Sequence, residues 1–359
     1  MNTTIDQTGI LWALLLFSSM ILIHEFGHFL LAKMFNVKVK RFSLGFGPIV
    51  FKKLVGETEF AVSMIMLGGY VSMLGENPGE EVPEEEKARA YCNLAPWKRA
   101  CIVGVGPLFN VLLAMVVMSI VYMHGTHAVY PIIGDVLPDS PAYSAGLQKG
   151  DVITAIGDRR ITRWEECVKL IQESAGKRVP ITIDRGGRKI RVEVVPVRRS
   201  IKDILHRVRE VGSLGVRPEG KAFVAKETPD RAILLGIEKV FEMAALLLVA
   251  VAKLIDGTLP LSNIGGPIMI VKTIRDQVNL GLSNYLIAMA FLNVNVGILN
   301  LLPIPSFDGG HLLFLSIESV RKRPLPFKTM LTAQRIGISI VIVLMTIAVY
   351  NDVMKLAAK

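Results

Sequence analysis

The sequence predicts an α-helical polytopic membrane protein with four transmembrane helices, a membrane-associated β-hairpin or sheet, and an inserted α+β domain. Three observations support this prediction. Hydrophobic residues make up 51% of the 359 positions and charged residues only 20%, whereas a typical soluble domain has about 25% charged residues. Four stretches are long and apolar enough to span a bilayer. A more charged segment with alternating, strand-like patterning lies between the second stretch and the third.

A transmembrane helix needs about 20 mostly apolar residues. The stretches that meet this requirement are residues 10–32, 100–123, 285–304 and 330–350. The fourth crosses if Arg335 extends its guanidinium to the nearer interface. The first is interrupted only by His24, Glu25 and His28. Because no basic segment precedes it and no cleavage site follows it, we expect it to remain in the mature protein.

A fifth apolar segment, residues 232–255, is predicted not to cross. Its charged residues leave an uncharged core of only ten residues, which predicts an amphipathic helix at the membrane interface. The chain is therefore predicted to divide into an N-terminal membrane core (1–128), an inserted domain (129–199), a linker with the interfacial helix (200–283) and a C-terminal membrane core (284–359).

The distribution of charge predicts the orientation. Lysine and arginine cluster after the first span, before the second, and between the last two. The positive-inside bias then places these loops in the cytoplasm and both termini outside, which requires four spans. The net charge of +10 would also suit a nucleic-acid partner, but cytoplasmic loops account for it and no nucleic-acid motif is present. With four spans, the first and third run in the same direction, so Asp308 emerges on the side nearer His24.

The pentapeptide His24-Glu25-Phe26-Gly27-His28 carries the chemistry. Residues four apart share one face of a helix, so both imidazoles can bind one Zn²⁺ while Glu25 lies beside the metal's water. An ionisable side chain at mid-membrane costs at least about 2.5–3.5 kcal/mol, so three together indicate a function. The alternative is a polar cluster that satisfies itself between helices.

Two histidines do not complete a catalytic zinc site, which usually has three protein ligands. Asp308 is the candidate third ligand, because it follows the third span where Pro303 and Pro305 break the helix and the next two residues are glycines. An acid just beyond an apolar helix can also be an ordinary interfacial cap.

In the insert, Pro141-Ala142, Ala145-Gly146-Leu147 and Gly150-Asp151-Val152-Ile153 precede alternating strands at 179–184 and 189–195, with Gly186-Gly187 predicted to turn between them. This segment resembles a bacterial PDZ domain, a fold that can bind an extended peptide by strand addition.

With HExxH in the first span, Asn300 through His311 in the pattern NxxPxxxxDGGH, and a PDZ-like insert, the chain resembles the site-2 protease family. It is most similar to the bacterial branch that includes the regulator of sigma-E protease. The segments Phe42–Gly47, Gly68–Val71 and Gly106–Asn110 add to the resemblance, which covers nearly the whole chain. Some family members have two tandem PDZ domains, whereas one is visible here.

The resemblance implies one zinc ion per chain bound by His24, His28 and Asp308, with Glu25 as general base. It also implies that the substrate contacts Asn300, Pro303 and Pro305, and in addition Asn295. Asparagines in membrane helices can instead form interhelical hydrogen bonds. Both interpretations stand for Asn110.

A transmembrane substrate has its peptide bonds in helical hydrogen bonds and must be unwound before cleavage. Residues 58–66 partly alternate and Gly68-Gly69 is predicted to form a turn, as in a hairpin within the region 38–75. The edge of this hairpin could pair with the unwound substrate, so Gly68 and Gly69 are candidate substrate contacts. A plain cytoplasmic hairpin is the alternative.

These features together predict a zinc endopeptidase for regulated intramembrane proteolysis. The resemblance implies single-span substrates such as anti-sigma factors or remnant signal peptides, and a multi-pass location in the bacterial inner membrane, with membrane lipid around it and peptide termini as possible ligands of the PDZ-like domain. The active site is expected nearer the cytoplasmic face. A non-catalytic membrane-anchored PDZ adaptor or a metal-binding membrane protein is the competing hypothesis. A transporter should show internal repeats, and none is present.

Overall fold

The computed structural model describes residues 7–77, 79–202, 208–323 and 325–357. Its helices are α1 (Gln7–Met34), α2 (Pro96–His124), α3 (Pro141–Ser144), α4 (Trp164–Gln172), α5 (Pro229–Ile255), α6 (Pro267–Asn279), α7 (Leu282–Leu301), α8 (Asp308–Arg321) and α9 (Phe327–Ala357). Its strands are β1 (Val39–Val55), β2 (Thr58–Met73), β3 (Thr126–Val129), β4 (Ile133–Val136), β5 (Val152–Ile156), β6 (Arg159–Arg160), β7 (Val179–Arg185), β8 (Arg188–Val194), β9 (Val197–Lys202), β10 (Val208–Ser213), β11 (Val216–Pro218) and β12 (Ala222–Ala225).

Within the described ranges, four helices are long and apolar enough to cross a membrane: α1, α2, α7 and α9. They coincide with the four predicted spans. α7 ends at Leu301 rather than at residue 304. Pro303 explains the difference, because proline has no backbone N–H and disfavours helical backbone in the residue before it.

The helix α5 is amphipathic, as the charge spacing predicts. Its buried residues recur every three or four positions along one face: Ala232, Gly236, Val240 and Met243. Apolar residues elsewhere on it, such as Leu234 and Phe241, are exposed. Although α5 has 27 residues, it is not one of the four helices apolar enough to span.

The helices α1 and α7 run in the same direction, as the count of spans predicts. Near their beginnings, the rings of Trp12 and Tyr285 meet edge to face with centroids 5.0 Å apart. Past the other end of α7, Asp308 lies beside His24 of α1. The two helices thus lie side by side from their beginnings to the end of α7, and the loop after α7 lies beside the histidines of α1.

The strands β1 and β2 both bend, so that they pair as four segments. Phe42 lies between Phe60 on one side and Val71 on the other, which makes residues 39–44 a central segment and residues 69–73 an outer one. The segment 69–73 packs with Ala32 of α1 and Ile102 of α2 through Val71 and Met73 in one apolar cluster. The outer edge of the sheet therefore lies against the membrane helices.

The predicted turn at Gly68-Gly69 is confirmed as a nearby reversal of the chain and not as a tight turn at the glycines. Leu44 pairs with Val62 on one side and with Gly69 on the other, and β2 runs in opposite directions at these two places. Both glycines lie inside β2, and a separate turn at Gly56-Glu57 joins β1 to β2. Gly56 has the left-handed backbone (φ +61°) that a tight turn requires. Gly68 and Gly69 do not have a positive φ and serve close packing instead.

The inserted segment forms a separate compact unit of residues 122–228 with 253–259. Its main sheet has the strand order β6-β5-β7-β8, and the predicted turn at Gly186-Gly187 joins β7 to β8. Four isoleucines with no exposed surface lie in its core: Ile133, Ile153, Ile181 and Ile183. Alternation of buried residues along β7, as the sequence pattern predicts, points Ile181 and Ile183 inward.

The compact unit extends beyond the predicted domain 129–199 at both ends. β12 pairs with β3, with Ala222 opposite Val129, and β11 pairs with β4. These pairings bring the two ends of the unit together, so residues after 199 continue the folded unit where the sequence predicts a linker. Long-range strand pairing has no local signature, which explains why the boundary differs.

Candidate metal centre

Three side chains from two helices meet at one point. Nε2 of His24 lies 3.1 Å from Oδ2 of Asp308, and Nε2 of His28 lies 3.8 Å from the same oxygen. The two Nε2 atoms are 3.2 Å apart. The three atoms therefore form a nearly equilateral triangle, with one face of α1 providing two corners and the first residue of α8 the third.

This triangle fits a tetrahedral zinc ion. With zinc–ligand distances of about 2.1 Å, neighbouring ligand atoms are about 3.4 Å apart, which is close to the three separations here. The Asp308 Oδ2 atom is buried and has no hydrogen-bond partner among the described residues. A buried acceptor directed at two imidazole nitrogens is suited to a cation.

His28 is held in the orientation that metal binding needs. Its Nδ1 donates to the carbonyl of Ile102 on α2 over 2.7 Å. A proton on Nδ1 leaves the Nε2 lone pair free for a metal. Gly106, one turn further along α2, makes room for the ring, because a Cβ there would lie 2.3 Å from Nε2 of His28.

Glu25 follows His24 and faces the outer segment of the sheet. Its carboxylate lies near the backbone amide of Val71. Gly69 allows this close approach, since a Cβ at that position would be 3.1 Å from Cγ of Glu25 and 2.9 Å from Cγ2 of Ile21. The strand thus positions the only acid of the HExxH motif beside the two histidines.

The break after α7 positions Asp308. α7 ends at Leu301 and α8 begins at Asp308, so the two prolines lie in the connection. The turn is tight enough that a Cβ on Gly309 would lie 2.2 Å from the carbonyl oxygen of Leu302. Glycine after the aspartate is therefore a steric requirement, as the sequence predicts.

The triangle lies in a cavity of about 980 Å³. Beside the three ligand candidates, its polar lining includes Glu76, Tyr91, Arg99, His311 and Glu318. Burial raises the pKa of the Glu76 carboxyl, whose oxygen accepts from the amide of Met73. Burial also lowers the pKa of His311. Arg99 pairs with Glu318 and so links the start of α2 to α8.

The predicted substrate contacts are not all near the metal centre. Gly69 lines the cavity, whereas Gly68 packs against the ring of Phe46. Asn295 donates to the carbonyl of Phe291 in its own helix. The remaining three, Asn300, Pro303 and Pro305, lie at the end of α7 and in the connection that follows it. Asn300 and Pro305 are half-buried and Pro303 is exposed. None of the three lines the cavity.

Two groups that contact the histidines could not be identified as such from the sequence. One is the carbonyl of Ile102, which no side-chain pattern could reveal. The other is the side chain of Asn110, whose Nδ2 lies 3.4 Å from Nδ1 of His24. Asn110 is visible in the sequence as an uncharged polar residue inside a span, but only its position opposite His24 distinguishes it from an ordinary interhelical asparagine.

A polytopic membrane protein with two histidines and an aspartate converging beside a glutamate has the arrangement of a membrane metalloprotease. The model of Peptidase family M50 matches residues 12–344, and the chain belongs to this family. It is 29% identical over 425 residues to the regulator of sigma E protease of Haemophilus influenzae, which covers 93% of this chain and 96% of that protein. It is 26% identical over 427 residues to the zinc metalloprotease RasP of Oceanobacillus iheyensis, which covers 98% and 100%.

Among solved structures, the PDZ domain of the SdrC-like protein from Listeria monocytogenes matches with 22% identity and a TM-score of 0.20, covering 25% of this chain and 86% of that domain. The family relationship confirms the predicted enzyme class and cofactor: the chain is a zinc metalloendopeptidase of regulated intramembrane proteolysis.

Proposed function

We propose that this protein hydrolyses peptide bonds within the transmembrane segments of single-span membrane proteins, with one zinc ion held by His24, His28 and Asp308. The observation that supports the proposal most directly is the triangle of their three ligand atoms, with edges of 3.1, 3.2 and 3.8 Å. Two of the three atoms belong to α1, a helix apolar enough to span the membrane. Peptide bonds inside the bilayer are therefore the natural substrate.

Glu25 is the proposed general base. When bound, zinc polarises the scissile carbonyl and makes water more acidic. The Glu25 carboxylate then takes a proton from the attacking water and delivers it to the leaving amine. The close approach of Gly69 to the Glu25 side chain keeps the carboxylate beside the outer segment of the sheet. The hydrogen bond from His28 to Ile102 keeps that imidazole ring fixed while the reaction proceeds.

The outer segment of the sheet, residues 69–73, is the proposed docking edge for the unwound substrate. It borders the cavity through Gly69, Tyr70, Val71 and Met73, and an extended peptide can add to a sheet edge through main-chain hydrogen bonds. The hairpin also exposes large apolar side chains such as Phe51, Leu54 and Ile65, which favours membrane contact over a plain cytoplasmic hairpin. Substrate contacts at Gly68, Asn295, Asn300, Pro303 and Pro305 remain part of the proposal.

The inserted unit is proposed to be a single PDZ domain on the extracytoplasmic side. Its four-stranded antiparallel sheet and the short helices α3 and α4 are compatible with peptide binding by strand addition. We place the protein in the bacterial inner membrane with both termini extracytoplasmic, because the basic loops favour that orientation. Anti-sigma factors and remnant signal peptides are the proposed substrates.

The substitution Glu25→Gln tests the proposed function. The variant should still bind about one zinc per chain, because the metal ligands are unchanged, while cleavage of a single-span substrate in proteoliposomes falls by about 10²–10⁴-fold. In cells, membrane proteomics should then show accumulated single-span fragments. The exposed Glu193→Gln change in the insert serves as the matched control and should cleave normally. Undiminished cleavage by Glu25→Gln would contradict the role of Glu25 as general base, and a wild type that does not cleave would favour a non-catalytic adaptor.

A further inference from the structure

Asn110 lies in the middle of α2 with no exposed surface. Its Nδ2 is 3.4 Å from Nδ1 of His24, and its Oδ1 is buried without a hydrogen-bond partner among the described residues. A buried amide oxygen left unpaired costs about 1–3 kcal/mol. This asparagine therefore needs an explanation beyond packing.

The coordination chemistry of His24 provides one. Its Nε2 is the atom directed at Asp308 and at His28, so Nε2 is the nitrogen available to zinc. A neutral imidazole that coordinates through Nε2 carries its proton on Nδ1, and that N–H needs an acceptor. The group in front of Nδ1 is the Asn110 amide. Rotating this amide by 180° exchanges Oδ1 and Nδ2 and presents the unpaired oxygen to the N–H.

We propose that Asn110 is the positioning residue for His24: its Oδ1 accepts the Nδ1–H of His24 and so fixes the ring with Nε2 toward zinc. The inference rests on the proposed zinc ligands. Under this proposal both histidines donate their Nδ1–H to an acceptor on α2: His28 to the carbonyl of Ile102 and His24 to the side chain of Asn110. Both acceptors belong to α2, eight residues apart on one helix. Although it contributes no zinc ligand, α2 thus orients both imidazoles.

The ordinary interpretation of Asn110 is an interhelical hydrogen bond. α7 does pass close to it, since a Cβ on Gly297 would lie 3.4 Å from Cβ of Asn110. Yet within the described part of the chain no group of α7 hydrogen-bonds the Asn110 amide, and the contact that exists is to His24. Asn293 of α7 provides a useful contrast: it is equally buried and its Oδ1 also has no partner among the described residues, but its Nδ2 donates to the carbonyl of Met289 in its own helix and not to a histidine.

The test compares three variants of the purified full-length chain in detergent. Asn110→Leu keeps the size and removes the acceptor, Asn110→Asp keeps the acceptor oxygen, and Asn293→Leu removes a different buried asparagine. Zinc affinity is measured by competition with a chelator. We expect zinc binding to weaken about 10- to 100-fold in Asn110→Leu, to stay within a few-fold of wild type in Asn110→Asp, and to be unchanged in Asn293→Leu.

A spectroscopic measurement separates positioning from packing. With ¹⁵N-labelled histidine, the zinc-loaded wild type and Asn110→Asp should show the His24 ring protonated at Nδ1 and hydrogen-bonded there, whereas Asn110→Leu loses the hydrogen-bond shift. The thermal unfolding temperature of each zinc-free variant is recorded in parallel, so that a general loss of folding is recognised by its presence without metal.

Three results would overturn the inference: wild-type zinc affinity in Asn110→Leu, equal weakening in Asn110→Leu and Asn110→Asp, or an equal loss in Asn293→Leu. The failure of the proposed function looks different. If the His28→Ala or the Asp308→Ala variant still binds zinc as the wild type does, the assignment of the zinc ligands itself fails. If zinc depends on those residues but not on Asn110, only the role of Asn110 is refuted.

Discussion

Two aspartates, Asp151 in the insert and Asp308 in the rest of the chain, each have a buried carboxylate oxygen, but these oxygens have opposite surroundings. In the insert, Asp151 is 1% exposed and accepts hydrogen bonds from Nε and Nη2 of Arg185 and from the amide of Gln148. In the other compact unit, called the membrane unit here and made of residues up to 121, 229–252 and those from 260 on, Asp308 directs a buried oxygen at two imidazoles and has no hydrogen-bond partner for it among the described residues. The protein itself thus provides hydrogen-bond donors for the buried oxygens of Asp151 but not for the buried oxygen of Asp308.

The difference shows what each unit requires for stability. A buried carboxylate that is fully paired holds its neighbours in place, whereas one left unpaired lowers stability until a cation arrives. Metal binding to a preformed site adds directly to folding free energy. Zinc should therefore stabilise the membrane unit and leave the insert unaffected, and the predictions below test that contrast.

The largest expected effect belongs to Asp308→Ala. Loss of the third ligand should remove stoichiometric zinc and, since metal catalysis contributes several kcal/mol, lower cleavage by about 1000-fold or more. Metal analysis and a proteoliposome cleavage assay measure both. Asp276→Ala, at a half-exposed acid of α6 in the same unit, serves as control and should keep its zinc. If Asp308→Ala retained its zinc, the buried oxygen of Asp308 would not be a zinc ligand and the contrast with Asp151 would have no explanation.

The next effect concerns the space around His28. Gly106→Ala would place a Cβ 2.3 Å from Nε2 of His28, so we expect zinc binding about 10- to 100-fold weaker, the size of effect seen when ligand orientation is lost. Gly104→Ala is the matched control on the same helix, because its Cβ would meet only Leu312 at 3.9 Å. That change should leave zinc affinity intact. Chelator competition measures the zinc affinity of both variants. Equal affinities would show that the His28 ring can move away from a Cβ at position 106 and would contradict the prediction.

A smaller effect is expected in the insert. Asp151→Ala should lower the free energy of unfolding of this unit by about 1–3 kcal/mol, because Arg185 and the Gln148 amide lose a buried acceptor. Hydrogen exchange on the full chain would locate the loss in residues 122–228. Zinc content should not change. Glu193→Ala, which breaks an exposed pair with Arg178, should have little effect. Exchange that is unaltered in Asp151→Ala would contradict this account.

The smallest effect depends on pH. Hydrogen bonds from Arg89 and then Lys33 lower the pKa of Glu57 from 4.5 to about 2. Since the folded-state pKa is depressed, the stabilisation is present above about pH 4.5 and is lost as the pH falls toward 2. Glu57 is about one-third exposed, so solvent screening limits the contribution to about 1 kcal/mol or less.

Glu57→Gln should therefore be less stable than wild type at pH 7 and equally stable near pH 2. Thermal unfolding of both proteins across this range measures the gap. Glu84→Gln, at an acid whose side chain is 84% exposed, should show a much smaller gap at every pH. A gap that grows as the pH falls would reverse the predicted sign.

Much of the fold follows from the sequence because its signals are local. Span length and charge predict four membrane helices and exclude α5, since both depend on about 20 consecutive residues. The turn at Gly186-Gly187 lies between two short alternating strands, which is a strong local signal. The pair Gly68-Gly69 lies next to the place where β2 reverses direction, but both glycines are in strand and serve close packing, and spacing alone cannot separate these two uses of glycine.

The sequence by itself determined the chemistry of the centre and the level at which its parts meet. The spacing of His24 and His28 places both rings on one helix face, and the number of spans places Asp308 at their end of the membrane. Only the tertiary structure decided how the rings are held: by the Ile102 carbonyl 74 residues away, by Asn110 86 residues away, and by the space at Gly106. The reason is physical, because helix periodicity acts over a few residues, whereas contacts between helices depend on packing that no local pattern specifies.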